Sequence, residues 1–431
     1  MEKTKKVVVS KEVLVPFILI TSLFALWGFA NDITNPMVAA FKTVMEMSNA
    51  KAALIQFAFY GGYATMAIPA ALFVKKFSYK KGILLGLTLY AVGALLFYPA
   101  ARFEMFGFFL VSLYILTFGL AFLETTANPY ILSMGDEKTA TRRLNLAQAF
   151  NPIGSLFGMF VASKFILTSL DSDLRDKAGN LIFSTLDAAE KATIRTHDLA
   201  IIRDPYVILG FVVILMFVII AFAKMPVRKD ADHTIRAMDS FKRLIKNVKY
   251  REGVIAQVFY VAAQIMSWTF IIQYADNLGI SKAAAQNYNI IAMSIFLTSR
   301  FISTFLMKYV NSKMLLTIFA VGGMLTMTGT IFIQGMGGLY CLIATSAFMS
   351  LMFPTIYGIA LEGLKDDTTL GAAGLVMAIV GGALMPPLQG SIIDLGTVAG
   401  MPAVNFSFIL PLISFIIIAI FGYRTLNHAH S

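Results

Sequence analysis

The sequence predicts an all-α membrane protein: twelve transmembrane helices in two six-helix halves, with both termini cytoplasmic. Three observations carry that prediction. Of the 431 residues, 58% are hydrophobic, 37 are Phe and only 14% are charged, where an ordinary globular chain has about 25% charged residues; mean hydropathy is +0.75. Apolar runs recur at lengths close to the roughly 20 residues that cross a bilayer. A polar, basic connection from Lys224 to Arg251 divides those runs six and six.

In the first half the runs fall at 16–44, 52–73, 82–101, 105–134, 144–166 and 206–223. In the second they fall at 253–272, 283–307, 314–334, 339–360, 371–393 and 406–423. Lys3, Lys5 and Lys6 before the first run, and Gly28-Phe29-Ala30 within it, have the layout of a cleavable signal. Removing that run would leave an odd number of spans and unpair the halves, so it is read as a retained helix. The expected units are an N-terminal bundle at 1–223, a cytoplasmic connection at 224–252 and a C-terminal bundle at 253–431.

Basic residues set the orientation. One set of connections carries Lys3, Lys5, Lys6 and Lys11, then Lys75, Lys76, Lys80 and Lys81, then Lys138, Arg142 and Arg143, and then the basic 224–251 segment. The opposite short loops hold little beyond Lys42, Lys51, Arg102 and Lys282. The positive-inside rule therefore predicts cytoplasmic termini. The long outer loop at 167–203, with Asp171, Asp173, Asp176, Asp187, Glu190 and Asp198 among its charges, does not count against this, because long loops translocate largely regardless of charge.

Several function classes drop out. The formal charge of +11 is explained by orientation, and no soluble domain offers a basic stripe for nucleic acid. A lone cysteine, Cys341, rules out a disulfide framework or a thiolate metal cluster within the chain. His197, His233, His428 and His430 lie in loops or at the terminus, a poor basis for a membrane-embedded enzyme, and no G-x-x-x-x-G-K-[ST] loop supports an ATP-driven pump.

The halves also repeat. Lys76-Phe77 and Lys81-Gly82-Ile83-Leu84 correspond to Lys308-Tyr309 and Lys313-Met314-Leu315-Leu316, and Asn128-Pro129-Tyr130 to Phe353-Pro354-Thr355. Parallel six-helix repeats resemble the arrangement of the major facilitator superfamily, whose substrate site lies at the bilayer midplane between the halves.

Polar residues inside the spans point to that site. A carboxylate near the bilayer centre costs on the order of 3 kcal/mol and normally faces the bundle interior. Asp32, within FANDITNPM, and Glu124, within LAFLETTANPY, have no basic residue within one helical turn, which disfavours a purely structural ion pair. Asn31 and Asn35 flank Asp32, with Pro36 able to loosen the helix. Asn128 follows Glu124 by one turn, and Gln148 and Asn151 share a face of the fifth span. On the seventh, Gln257, Tyr260, Gln264 and Trp268 form one stripe. Such stripes also arise from ordinary helix packing. Amides beside aromatic faces equally suit the hydroxyls and C–H surface of a sugar ring. Gln389, after a Pro386-Pro387 pair read as a flexible helix break, is a further candidate contact. Arg300 is read as an anchor of the gate or a snorkelling cation, Glu362, Asp366 and Asp367 as inner-loop acids, and Asp276 and Asp394 as solvated outer acids.

WGFANDITNPMVAAF, FYGGYATMAIPAALFVKKFSYKKG, GLAFLETTANPY, RLNLAQAFN, AQVFYVAAQIMSW and FMSLMFPTIYG resemble, in order and nearly without gaps, the fucose:proton symporter family of that superfamily. The resemblance covers all twelve spans and fades in the termini and the two long loops. It implies import of L-fucose, or of glucose or galactose, together with a proton, and no cofactor beyond the coupling ion H+. It implies that Glu124 contacts the sugar and is needed for coupling. Read without gaps from Trp27, the family's first-span aspartate falls at Asn35 and an asparagine at Asp32, so the acid has moved one turn along the same face. Asp32 is expected to carry the proton there. A carboxylic acid in a low-dielectric cavity holds its proton more tightly than in water and releases it when the cavity rehydrates. The expected partners are a small sugar, a proton and the lipid bilayer, with no nucleic acid. The expected state is a monomer in a bacterial cytoplasmic (inner) membrane. A proton-independent facilitator of a polar solute is the remaining alternative.

Overall fold

A computed structural model of the chain describes residues 8–47, 54–174, 176–177, 182–226, 237–280, 282–393 and 395–427. Those residues form an almost entirely helical molecule. The first half holds α1 (Leu14–Val44), α2 (Leu54–Lys76), α3 (Tyr79–Leu95), α4 (Phe106–Ser133), α5 (Ala140–Gln148), α6 (Asn151–Val161) and α7 (Ala188–Phe222). A short helix, α8 (Ala237–Lys246), lies in the connection. The second half holds α9 (Val248–Thr269), α10 (Lys282–Leu306), α11 (Ser312–Phe332), α12 (Met336–Met349), α13 (Met352–Leu361), α14 (Thr368–Met377), α15 (Gly381–Ile393) and α16 (Ile409–Asn427). Shorter helices at Phe97–Arg102, Ile271–Asn277 and Ala403–Ser407 round off the span ends. Strands Thr397–Val398 and Met401–Pro402 form a small hairpin whose turn, Ala399-Gly400, has positive φ at both residues, as a two-residue hairpin turn requires.

Among the described residues, ten helical runs are long and apolar enough to cross a membrane. Helices α2 and α9 stand where the second and seventh expected spans fall. The sixth helix is longer than its apolar run. It begins at Ala188, where Asp187 and Glu190 make a capping box, and passes through Pro205. Good helix formers precede the apolar stretch, and the cap satisfies the first backbone donors. Asp198 on this extension is fully buried and accepts from the backbone N–H groups of Asp171 (3.0 Å) and Ser172 (2.9 Å), fastening the outer segment to α7.

Two spans are interrupted in the same way. In the first half a 3-10 turn, Glu137–Thr139, leads into α5, which ends at Gln148 before α6 resumes at Asn151. In the second a 3-10 turn, Lys365–Asp367, leads into α14, and the chain tightens at Ala378–Val380 before α15. The internal repeat is therefore visible in element lengths as well as in residues. It also corrects one expectation. The eleventh span breaks at Ala378–Val380, where Gly381 approaches the Val258 carbonyl too closely for a Cβ, whereas α15 continues through Pro386 and Pro387. Helix α1 likewise runs unbroken through Pro36, since a bundle tolerates the lost backbone bond.

Helices α1 and α6 meet backbone to backbone. A Cβ on Gly28 would strike the Asn151 carbonyl, and one on Gly154 the Ala25 carbonyl. Gly154 and Gly158, four apart on α6, permit this approach inside a membrane, and Gly158 meets α1 at Phe29 and Ile33, on either side of Asn31 and Asp32.

Buried apolar side chains gather into two clusters, one built mainly from residues of the first half and one from the second. The halves join directly at the end marked by Lys81, Arg142, Lys313 and Glu362. There Tyr79 and Thr369 share a hydrogen bond (3.1 Å), Asn145 Nδ2 donates to Thr355 Oγ1 (3.1 Å), and Arg142 Nε donates to the Thr304 carbonyl (3.3 Å).

Candidate functional site

Glu124 is half-buried on α4, and the next turn of that helix ties its surroundings together. Asn128 Nδ2 donates to the Glu124 backbone carbonyl (3.0 Å), while Asn128 Oδ1 accepts from Gln148 Nε2 (2.8 Å) at the end of α5. Tyr63 of α2 and Tyr357 of α13 bring their hydroxyls within electrostatic range of the Glu124 carboxylate. Asp32, half-buried on α1, faces Tyr60 of α2 in the same way. Asp32 is thus met by one tyrosine of α2, and Glu124 by one tyrosine from each half.

Several polar atoms here are buried with no hydrogen-bond partner among the described residues. They include Asn31 Oδ1, Glu124 Oε2, both amide atoms of Gln257 and Gln389 Oε1. Leaving such a group unpaired costs roughly 1–3 kcal/mol, and native interiors hold few of them. Gln257 is fully buried on α9; a leucine would fill that space without the cost. Together these groups offer donors and acceptors, charged and neutral, from both halves, a set that fits a solute rich in hydroxyls.

Other expected residues are engaged within the bundle. Asn151 Nδ2 donates to the Phe24 carbonyl (3.2 Å), Tyr260 to the Met349 carbonyl (3.1 Å), Trp268 Nε1 to Ser346 Oγ (3.1 Å) and Gln389 Nε2 to Ser407 Oγ (3.1 Å). Tyr260 and Trp268 thus tie α9 to α12. Trp268 also packs edge-on against Phe296, with ring centroids 5.0 Å apart. Gln264, one turn before Trp268, is half-buried. The side chains of Asn35, Asp276 and Asp394 lie outside the described residues, as do His233, His428 and His430.

Arg300 is neither snorkelling nor exposed. It is 3% accessible on α10 and sits over the Phe296 ring. Its Nε donates to the Ser350 carbonyl, at the gap between α12 and α13, and one terminal nitrogen donates to the Gln148 carbonyl (3.1 Å), at the gap between α5 and α6. Interrupted helices expose carbonyls that lack intrahelical donors, and this guanidinium satisfies one from each half. Gln148 in turn holds Asn128, so Arg300 connects through two hydrogen bonds to the turn that carries Glu124.

Sequence reading passed over Tyr63, Tyr357 and Trp27, whose buried Nε1 also lacks a partner. All three lie within or beside the quoted motifs, but an aromatic in an apolar run carries no polar signal of its own. Asp171, His197 and Asp198 come together at the far end of α7, and there Asp198 already serves the backbone of the outer segment.

Residues 18–386 match the Major Facilitator Superfamily. The chain is 69% identical over 418 residues to the L-fucose-proton symporter of Haemophilus influenzae, covering 97% of this chain and 98% of that one. It is 30% identical over 409 residues to a glucose/galactose transporter of Brucella abortus, covering 94% and 92%. Among solved structures, the fucose:proton symporter FucP of Escherichia coli superposes with a TM-score of 0.87 at 32% identity, covering 96% of this chain and 99% of that chain. A structure of FucP in the outward conformation gives the same TM-score at 33% identity and the same coverage.

Proposed function

The chain belongs to the Major Facilitator Superfamily, and on that premise we propose that it is a proton-coupled sugar symporter that imports L-fucose with H+ by alternating access. The observation that carries this reading is that helices of both halves bury polar atoms without a hydrogen-bond partner among the described residues, Asn31 Oδ1 and Glu124 Oε2 in the first half and both amide atoms of Gln257 in the second. A site divided between two bodies is remade each time they rock, and that lets occupancy bias the rocking.

Glu124 hydrogen-bonds sugar hydroxyls, with Tyr357, Asn31, Gln257 and Gln389 as further contacts. Asn128 and Gln148 hold the Glu124 turn in place. Asp32 carries the proton: in its neutral form it removes the charge penalty of enclosing the site, so closure around sugar becomes favourable only when a proton is also bound. Asn35, Asn151, Tyr260, Gln264 and Trp268 shape the rest of the pocket. The joined end faces the cytoplasm and both termini lie there, in a bacterial inner membrane, as the distribution of Lys and Arg supports. The bundles 1–223 and 253–431 act as the rocking bodies, and a single copy suffices for transport. Fucose is preferred over glucose or galactose because the relative that carries the fucose name is 69% identical and the glucose/galactose one 30%.

Uptake of labelled L-fucose, galactose and glucose into proteoliposomes, with and without an inward proton gradient, tests the reading. We expect gradient-driven accumulation of L-fucose alone. Asp32→Asn should abolish accumulation while leaving exchange of fucose across the membrane, and Glu124→Gln should lose both. Equilibration indifferent to the gradient would make the protein a facilitator.

A further inference from the structure

Helix α8 leaves an apolar stripe uncovered. Met238, Phe241 and Ile245, spaced three and four apart and so on one face, are 65%, 48% and 48% accessible. The adjoining face, Ser240 and Leu244, is buried against the bundle at 0% and 3%. By helical periodicity Lys242 and Lys246, both exposed, border the stripe on the side away from the bundle.

Its contacts fix the depth of this helix. Lys75 Nζ, on the last turn of α2, donates to Ser240 Oγ (3.1 Å). Arg243 grips Asp367, beside the first turn of α14, with Nε at 2.8 Å and a terminal nitrogen at 2.7 Å. Asn247 alone separates α8 from α9 and caps it, accepting from the Tyr250 N–H (3.0 Å). Helix α8 therefore lies level with the ends of three spans, where hydrocarbon gives way to headgroups. An apolar stripe bordered by lysines at that depth has the chemistry of a helix lying in the membrane plane, its apolar side chains in the acyl boundary and its lysine heads reaching up to phosphate.

We propose that α8 is an interfacial helix that docks on anionic phospholipid at this end of the molecule. Charge selects the occupant: Asp367 already engages Arg243, while Lys242 and Lys246 are exposed beside the stripe and favour an anionic headgroup. The docked helix holds both halves, Lys75 in one and Asp367 in the other. The inference stands whatever solute is carried.

The test uses the full chain with Cys341→Ser, spin-labelled one site at a time at Asp239→Cys, Phe241→Cys and Ile245→Cys. Each is reconstituted in phosphatidylcholine and in phosphatidylcholine with phosphatidylglycerol. Labels at 241 and 245 should collide preferentially with oxygen, and the label at 239 with a water-soluble nickel chelate. Adding phosphatidylglycerol should deepen the first two. Lys242→Glu with Lys246→Glu should cancel that deepening, and Lys242→Gln with Lys246→Gln should reduce it. Preference for nickel at 241 and 245 in both lipids would overturn the proposal by making the stripe a solvent face. Protection from both reagents would overturn it in favour of a second copy of the chain, and depth indifferent to phosphatidylglycerol would remove the anionic headgroup.

Discussion

A buried glutamine with both amide atoms unpaired separates binding from packing at the level of one residue. Gln257→Leu keeps the volume and removes the orphaned groups, each of which costs roughly 1–3 kcal/mol. The variant should raise the Tm of the sugar-free protein and weaken sugar binding about tenfold, the equivalent of one lost hydrogen bond; calorimetry and equilibrium binding check the two halves separately. A higher Tm with unchanged binding would return Gln257 to a packing role. Residues of this kind, with Glu124 and Asn31, were legible in the sequence because a polar side chain in an apolar run is expensive wherever it points. Tyr357 and Tyr63 were not, since their value comes from the hydroxyl's proximity to Glu124 across helices. Arg300 was visible as a charge read either as an anchor or as a snorkelling cation; its burial removes the second, and its partners, carbonyls at two helix gaps, are of a kind that hydropathy does not register.

Helix crossings make their own demands. Gly154→Ala places a methyl group against the Ala25 carbonyl, and overpacking of that kind costs about 1–3 kcal/mol. Gly107→Ala, at a position with nothing within 4 Å, should leave Tm unchanged or raise it slightly, so a thermal scan of the pair isolates the crossing. At the joined end Glu362 gathers the ends of three helices, with Lys313 Nζ at 2.9 Å and Lys249 Nζ at 3.2 Å. Burial pushes its carboxyl up, but the hydrogen bond and charge of Lys313, with those of Lys249, outweigh that and hold it below the usual carboxylate range. A depressed value means the stabilisation is present above the unfolded carboxylate value, about 4.3, and is lost as pH falls through the folded one. The Tm gap between the parent and Glu362→Gln should hold steady from about pH 5 to 8 and close below about pH 4; a gap of zero at neutral pH would mean the cluster contributes nothing. Spans were legible as apolar runs. Their interruptions at 149–150 and 378–380 were not, because a run stays apolar whether or not its backbone ladder is continuous.

For the whole molecule, the expected division into two sets of six followed from one polar connection; among the described residues ten helical runs are long and apolar enough to cross a membrane, and the repeat reappears as a 3-10 turn, a short helix and an interruption in each half. The path by which those halves part does not show in composition, because it depends on which groups meet at their seam. The four contacts described there, Tyr79 with Thr369, Asn145 with Thr355, Arg142 with the Thr304 carbonyl and Arg300 with the Gln148 carbonyl, have only hydroxyl and carbonyl oxygens as acceptors. Ionic strength has little hold on these four contacts, and the Arg243–Asp367 pair that α8 adds beside them, exposed at its arginine, contributes little. Mobile ions screen charge against charge over about 10 Å at 0.1 M, and bonds to neutral acceptors inside the protein offer them almost nothing to screen. Turnover should therefore change by less than about twofold between dilute and concentrated internal salt, measured as fucose exchange in proteoliposomes, and a cell that swings in osmolarity would keep its uptake rate.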